Sequence, residues 1–236
     1  MASCPLPGVV PEQRRRVDQP YARRVTETPD DLTRLVDRWV EGWSFSRGAA
    51  RHRDGDAWRV DVAAATRAVE RIVARPTSGE LARLVAATAA PDLWLSVVGP
   101  LDDDARRALA RLDAVTHAER MMTAPVSPTP LPPDVIVDDD DRVVHVRVEL
   151  DGVVAARGQA AVVGDHAVFD RIATEPDFRR RGLGSRVMAG LEHGAAVRGA
   201  TTGLLFASVD GRRLYEGLGW RDVAELGTWR GRGVPG

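Results

Sequence analysis

The stretch Arg179-Arg180-Arg181-Gly182-Leu183-Gly184-Ser185 decides how this 236-residue sequence is read. Before it come a strand-like run, Ala167–Thr174, and the segment Glu175-Pro176-Asp177-Phe178. After it comes an amphipathic helix with Leu183, Val187, Leu191 and Ala195 on one face, ending near Gly199. A strand, a glycine-containing loop and a helix start present free backbone N–H groups at the positive end of a helix dipole. The glycines allow a ligand to approach closely. That arrangement suits a phosphate or pyrophosphate. A dinucleotide fingerprint would need Gly or Ala at Val187 and parallel strands before the loop, and neither condition is met. What remains is the spacing R-x-x-G-x-G at Arg179, Gly182 and Gly184.

Composition removes several other classes. All 33 basic residues are arginine, set against 34 Asp and Glu, for a net charge of -1. Without lysine there is no phosphate-binding P-loop, no pyridoxal phosphate Schiff base, no kinase strand lysine and no Ser-x-x-Lys hydrolase. The single Cys4 excludes an internal disulfide and a multi-cysteine zinc site. Near-neutral charge disfavours nucleic acid as a partner. No run of about 18 uncharged apolar residues suggests a membrane span, so the expectation is a cytoplasmic protein. Arg14–Arg16 is another arginine triplet, so the case for Arg179–Arg181 rests on its glycines and its neighbours.

Upstream of the loop the apolar period is two. Val143–Leu150 alternates, Asp151-Gly152 signals a hairpin, Val153–Val163 returns, and Gly164-Asp165 turns the chain into Ala167–Thr174. Residues 1–30, rich in proline and charge, read as a mobile tail. From Asp31 the pattern is helical through Leu32, Leu35, Val36 and Trp39. A strand is expected at Trp58–Val62, helices at Thr66–Ala74 and Gly79–Thr88, and a buried strand at Leu93–Val98. Asp102, Asp103 and Asp104 read as the capped start of another helix rather than as metal ligands. Pro125–Pro133 reads as an extended linker, and the acidic run Asp138–Asp141 as a solvated loop. The expected organisation is a tail at 1–30, an N-terminal α/β lobe at 31–124, a linker at 125–134 and a C-terminal domain at 135–236.

A second motif follows the helix. Thr202–Ser208 reads as a buried strand, and after a short helix comes Leu214-Tyr215-Glu216-Gly217-Leu218-Gly219-Trp220. With the meander, the R-x-x-G-x-G loop and the helix, residues 142–226 resemble the GNAT superfamily of N-acetyltransferases. The resemblance implies an α/β fold with a mixed, largely antiparallel sheet flanked by helices. It implies acetyl-coenzyme A as cosubstrate and no metal. The pyrophosphate would be held by Arg179, Arg180, Arg181, Gly182, Leu183, Gly184 and Ser185, and the pantetheine by backbone groups of Ile172, Ala173 and Thr174. Ser208 stands where many relatives carry Asn.

The resemblance also points to Tyr215 as the acid that protonates the departing thiolate, the alternative being a packing residue beside Leu214 and Leu218. For the base the family often uses a glutamate, and the matching position is Val168. Asp170, two residues on along the same strand face, could serve or could pair with Arg171 or Arg147; Glu149 is a further candidate. His166 and His193 read as surface or capping groups.

The family normally places two helices and a strand before its hairpin, and Pro125–Asp141 has no room for them. Either residues 31–124 supply these elements or they form a degenerate half that shapes the substrate side. The expected activity is acetyl transfer to a primary amine of a small molecule or peptide, the alternative being a coenzyme A-binding sensor or partner module without turnover. Oligomeric state is open, a homodimer included.

Overall fold

The computed structural model describes residues 29–140 and 142–233, so most of the expected tail at 1–30 lies outside the described residues. In chain order the elements are α1 (Pro29–Ser46), β1 (Ala50–Asp54), β2 (Ala57–Ala64), β3 (Arg67–Ala74), α2 (Ser78–Ala86), β4 (Leu93–Val98), α3 (Asp103–Leu109) and β5 (Asp113–Pro125). Then follow β6 (Val135–Asp140), β7 (Val143–Leu150), β8 (Val153–Val163), β9 (His166–Thr174), α4 (Leu183–Val197), β10 (Thr202–Ala207), α5 (Val209–Gly217) and β11 (Arg221–Arg230). No helix among the described residues is long and apolar enough to cross a membrane.

One element order occurs twice. An antiparallel meander, a helix, a strand parallel to the last meander strand, a second helix and a final strand make up β1-β2-β3-α2-β4-α3-β5. The same order gives β7-β8-β9-α4-β10-α5-β11. All eleven strands form one sheet, ordered β1-β2-β3-β4-β11-β5-β10-β9-β8-β7-β6. The final strands are exchanged: β11 of the second run lies against β4 of the first, and β5 of the first lies against β10 of the second. The two exchanged strands pair with each other at the centre.

Helices cover both faces of this sheet. Alone among the described helices on one face lies α1, whose Leu32, Val36, Trp39, Val40 and Trp43 pack on Val60, Ile72, Val98, Met121, Val168, Leu204 and Leu226 from both runs. The contact is close: a Cβ on Gly42 would come within 2.7 Å of Val168 Cβ. On the opposite face α4 and α5 build a core with β5 and β7–β10, while α2 and α3 build a smaller one with β3, β4 and Trp229.

The turns match their sequence signals. Asp151 and Gly152 both have positive φ, 53° and 76°, as a two-residue hairpin turn requires. Asp102 caps α3 by accepting from Ala105 N at 2.7 Å, and Asp103 and Asp104 pair with Arg106 and Arg107.

Three expectations are corrected. The stretch expected as a helix at Thr66–Ala74 is a turn residue followed by strand β3: Val69, Ile72 and Val73 suit helical spacing, but they also suit a strand buried on both faces. Asp138–Asp140 lie in the edge strand β6 rather than in a loop, with Asp138 paired to Arg147. Residues 113–125, not read as a strand, form the central β5. The proline-rich stretch after it passes the end of α4, where His193 Nδ1 lies 2.7 Å from the Thr129 carbonyl.

His166 opens β9 with its ring buried. Arg38 of α1 contacts Nε2, so that nitrogen accepts and the proton sits on Nδ1, 2.5 Å from Asp165 Oδ1. Burial and the Arg38 charge hold the imidazole below its ordinary pKa of 6.5, against the opposing pull of Asp165. The unfolded chain therefore binds the extra proton first, and stability should fall as pH drops below about 6.5. Melting curves between pH 5 and 8 should show this slope in the wild type and a flatter profile in His166→Gln. Equal slopes would contradict the assignment.

Candidate active site

The site forms where β9 and β10 part. These parallel strands pair at Thr202–His166, Gly203–Ala167 and Leu204–Val168, and no further. Beyond Val168, β9 continues through Asp170 to Thr174 while keeping its pairing with β8 on the other side. A bulge opposite Gly158 accounts for part of this: Arg157 pairs with Ala173 and Gln159 with Asp170, which leaves two residues of β9 facing one of β8. Arg171, within the bulge, has φ 55°. The backbone of Ile172–Thr174 is thus unpaired toward β10.

The first run shows the opposite. There β3 and β4 stay paired from Val69–Leu93 to Ala74–Val98, and Arg75 N extends the pairing to Val98 O at 3.0 Å. That half has neither the opening nor a glycine loop before its helix.

At the mouth of the opening stands the start of α4. Gly182 is its N-cap at φ 74°, without a side-chain cap, and Arg180 also has positive φ, 62°. The first intrahelical bond runs from Arg186 N to Gly182 O, so the N–H groups of the first turn point out of the helix. The two glycines serve different ends. A Cβ on Gly182 would meet nothing within 4 Å, so the residue is needed for its backbone conformation. A Cβ on Gly184 would lie 2.9 Å from Leu214 Cδ2, so this glycine lets α5 approach the helix start. The two sequence motifs therefore touch.

The three arginines divide their work. Arg179 Nε bonds Thr174 O at 3.3 Å, and Arg181 bonds Asp177 O at 3.4 Å while lying over the Phe178 ring. Arg180, exposed, has no bonded partner among the described residues. Ser208 follows β10 and caps α5, accepting from Gly211 N at 3.1 Å.

Tyr215 of α5 is 7% exposed and packs against Trp220. Burial, with a smaller contribution from the Asp170 carboxylate, pushes its phenol up to about 12. It therefore holds its proton at neutral pH.

Asp170 pairs with neither Arg171 nor Arg147. Both its oxygens accept from Arg47, just past the end of α1, at 2.8 and 3.0 Å. Glu149 is taken by Arg147 at 2.7 Å. Val168, where the family's glutamate was looked for, is fully buried under α1.

Sequence reasoning missed Arg67. It comes from β3 of the first run, its guanidinium 5.1 Å from the Trp43 ring and 4.9 Å from the Trp94 ring, and it pairs with Glu70. Burial and the nearby Arg47 lower its pKa to about 10, against the pull of Asp170 and Glu119. The segment after α1 thus bonds Asp170 directly, and the first run adds Arg67 within reach of its charge. No local pattern signals this, because Arg47, Arg67 and Asp170 meet only through the sheet.

Comparison with known proteins agrees with this geometry. Residues 112–220 match the model of the acetyltransferase (GNAT) family. A putative acetyltransferase from the GNAT family of Novosphingobium aromaticivorans is 19% identical with a TM-score of 0.58, covering 86% of this chain and 97% of its own. A GCN5-related N-acetyltransferase from Kribbella flavida is 18% identical with a TM-score of 0.59, covering 86% and 96%. At these identities the likeness shows the fold, and it extends over both runs. A search of curated proteins finds no match to the chain.

The loop geometry yields a test. Gly182→Ala should lower stability by about 1–2 kcal/mol, the cost of a left-handed residue with a Cβ. Gly182→Asn should cost less, because Asn tolerates that conformation. Urea unfolding of the two variants checks this; an equal or larger loss for Asn would point to space rather than φ.

Proposed function

Since residues 112–220 match the model of the acetyltransferase (GNAT) family, we propose that the chain is an N-acetyltransferase carrying acetyl from acetyl-coenzyme A to a primary amine of a small molecule or peptide. The observation that carries this reading is the opening between β9 and β10, with the uncapped start of α4 at its mouth. A phosphate-bearing cofactor with an extended arm fits both parts. The N–H groups from Gly182 to Ser185 and the charge of Arg180 receive the pyrophosphate. The backbone of Ile172–Thr174 receives the arm as a neighbouring strand would. When bound, acetyl-coenzyme A supplies the activated thioester.

The chain's own residues then handle protons. Tyr215, still protonated at neutral pH, acts as the general acid for the departing thiolate. Asp170 is the group proposed to take a proton from the incoming ammonium. The first run, closed between β3 and β4, binds no coenzyme in this reading. It is a degenerate half that lends Arg67 to the acceptor side.

One observation favours a second reading, a coenzyme A-binding module without turnover: both oxygens of Asp170 already accept hydrogen bonds from Arg47. Two measurements separate these. Acetyl-coenzyme A at about 100 times its Kd should add about 2.7 kcal/mol of stability; no shift at millimolar ligand contradicts both. Thiol release across a panel of amines supports the enzyme, and its absence the module. Tyr215→Phe should cut turnover about 100-fold or more and leave the melting shift intact. Loss of the shift would make Tyr215 a packing residue instead.

A further inference from the structure

On the α1 face, a groove of about 720 Å³ runs along β6–β9. We propose that it is the acceptor subsite, and that it selects amines that also carry a carboxylate or a phosphate, through Arg157 and Arg171. The proposal rests on the acetyl-transfer reading above and names its substrate class.

Position comes first. Asp138, His145, Gln159 and Asp170 stand in one cross-strand row over four strands. The first three line the groove, and the fourth is the proposed base, so the groove ends beside Asp170. Ile172 and Ala173, at the bulge that opens β9 from β10, line it too. Above its inner edge the end of α1 is fixed by Gln159 Nε2 donating to Ser46 O at 3.4 Å. From there toward the sheet edge no helix among the described residues covers this face, whereas α4 covers the same strands on the other side.

Charge supplies the specificity. Arginine is the only strong cation in the chain, so its mere presence carries little weight. Pairing is the informative property. On the α1 face Arg47 is met by Asp170, Arg51 by Glu41, Arg53 by Asp37 and Arg67 by Glu70. Within the groove Arg147 is met by Asp138 and Glu149. Arg157 and Arg171 are both exposed, line the groove and have no carboxylate partner among the described residues. Arg157 stands opposite Ala173 at one end of the bulge, and Arg171 lies within it. Two unanswered guanidinium forks in one groove match the bidentate geometry of a carboxylate or phosphate.

The test compares amines that differ in charge. L-Glutamate and O-phosphoethanolamine are set against ethanolamine and 1,4-diaminobutane. Binding is read by calorimetry on protein saturated with coenzyme A, and transfer by thiol release from acetyl-coenzyme A. The anionic amines should bind at least tenfold more tightly than ethanolamine. Arg157→Gln and Arg171→Gln should each lose about tenfold of that binding, with affinity for coenzyme A unchanged. An equal or reversed preference with coenzyme A still bound overturns the groove proposal alone. Weaker coenzyme A binding in the variants also overturns it, by assigning the arginines to the coenzyme. If the wild type binds no coenzyme A, the acetyl-transfer reading falls and the groove proposal with it.

Discussion

The backbone pairing of β5 with β11 holds both runs of this molecule in one sheet. Each strand closes the run that does not contain it: β11 lies against β4, and β5 against β10. Neither run could satisfy its central backbone groups alone, because removing the exchanged strand would leave β4 or β10 with an open edge at the middle of the sheet. A buried polar chain reinforces the junction. Ser96 of β4 bonds Glu70 of β3 and Thr228 of β11. The helix α1 then spans the exchange, packing on strands from both sides of it.

On this near-symmetric frame one half opens between two parallel strands and the other does not. The difference lies in register, not in element order. A bulge in β9 and pairing that stops at Val168–Leu204 make an opening; uninterrupted pairing of β3 with β4 leaves none. The loop lengths follow. Residues 175–182 separate β9 from α4 and carry Gly182, whereas only residues 75–77 separate β3 from α2. The closed half still reaches across the sheet, since the Asp170 carboxylate acts on the Arg67 guanidinium.

Much of the second half was legible in the sequence. Alternation of Val144, Val146 and Val148, the Asp151-Gly152 turn and the spacing of Arg179, Gly182 and Gly184 each report a local constraint: strand faces, positive φ, a helix start. The first half was harder to read. Val69, Ile72 and Val73 suit a helix and a doubly buried strand equally, and β3 proved to be the strand. The central β5 went unread because its alternation is broken by bulges against β11, at Glu119–Thr116 among other places. Its role depends on a partner about 100 residues away.

By itself the sequence determined what a few contiguous residues decide: the hairpins, the glycine loop before α4, the Leu214–Trp220 ending, and through them the family. Gly182 needs no distant partner to favour φ near 74°, and lysine-dependent chemistries are excluded whatever the fold. The tertiary structure decided the rest. It exchanged the final strands, opened one strand pair while closing its counterpart, tied Asp170 to Arg47 and left Arg157 and Arg171 without a carboxylate partner among the described residues. Each of these is a relation between residues far apart in the chain. Their energies come from pairing, packing and charge across the sheet, and no local pattern encodes such distances.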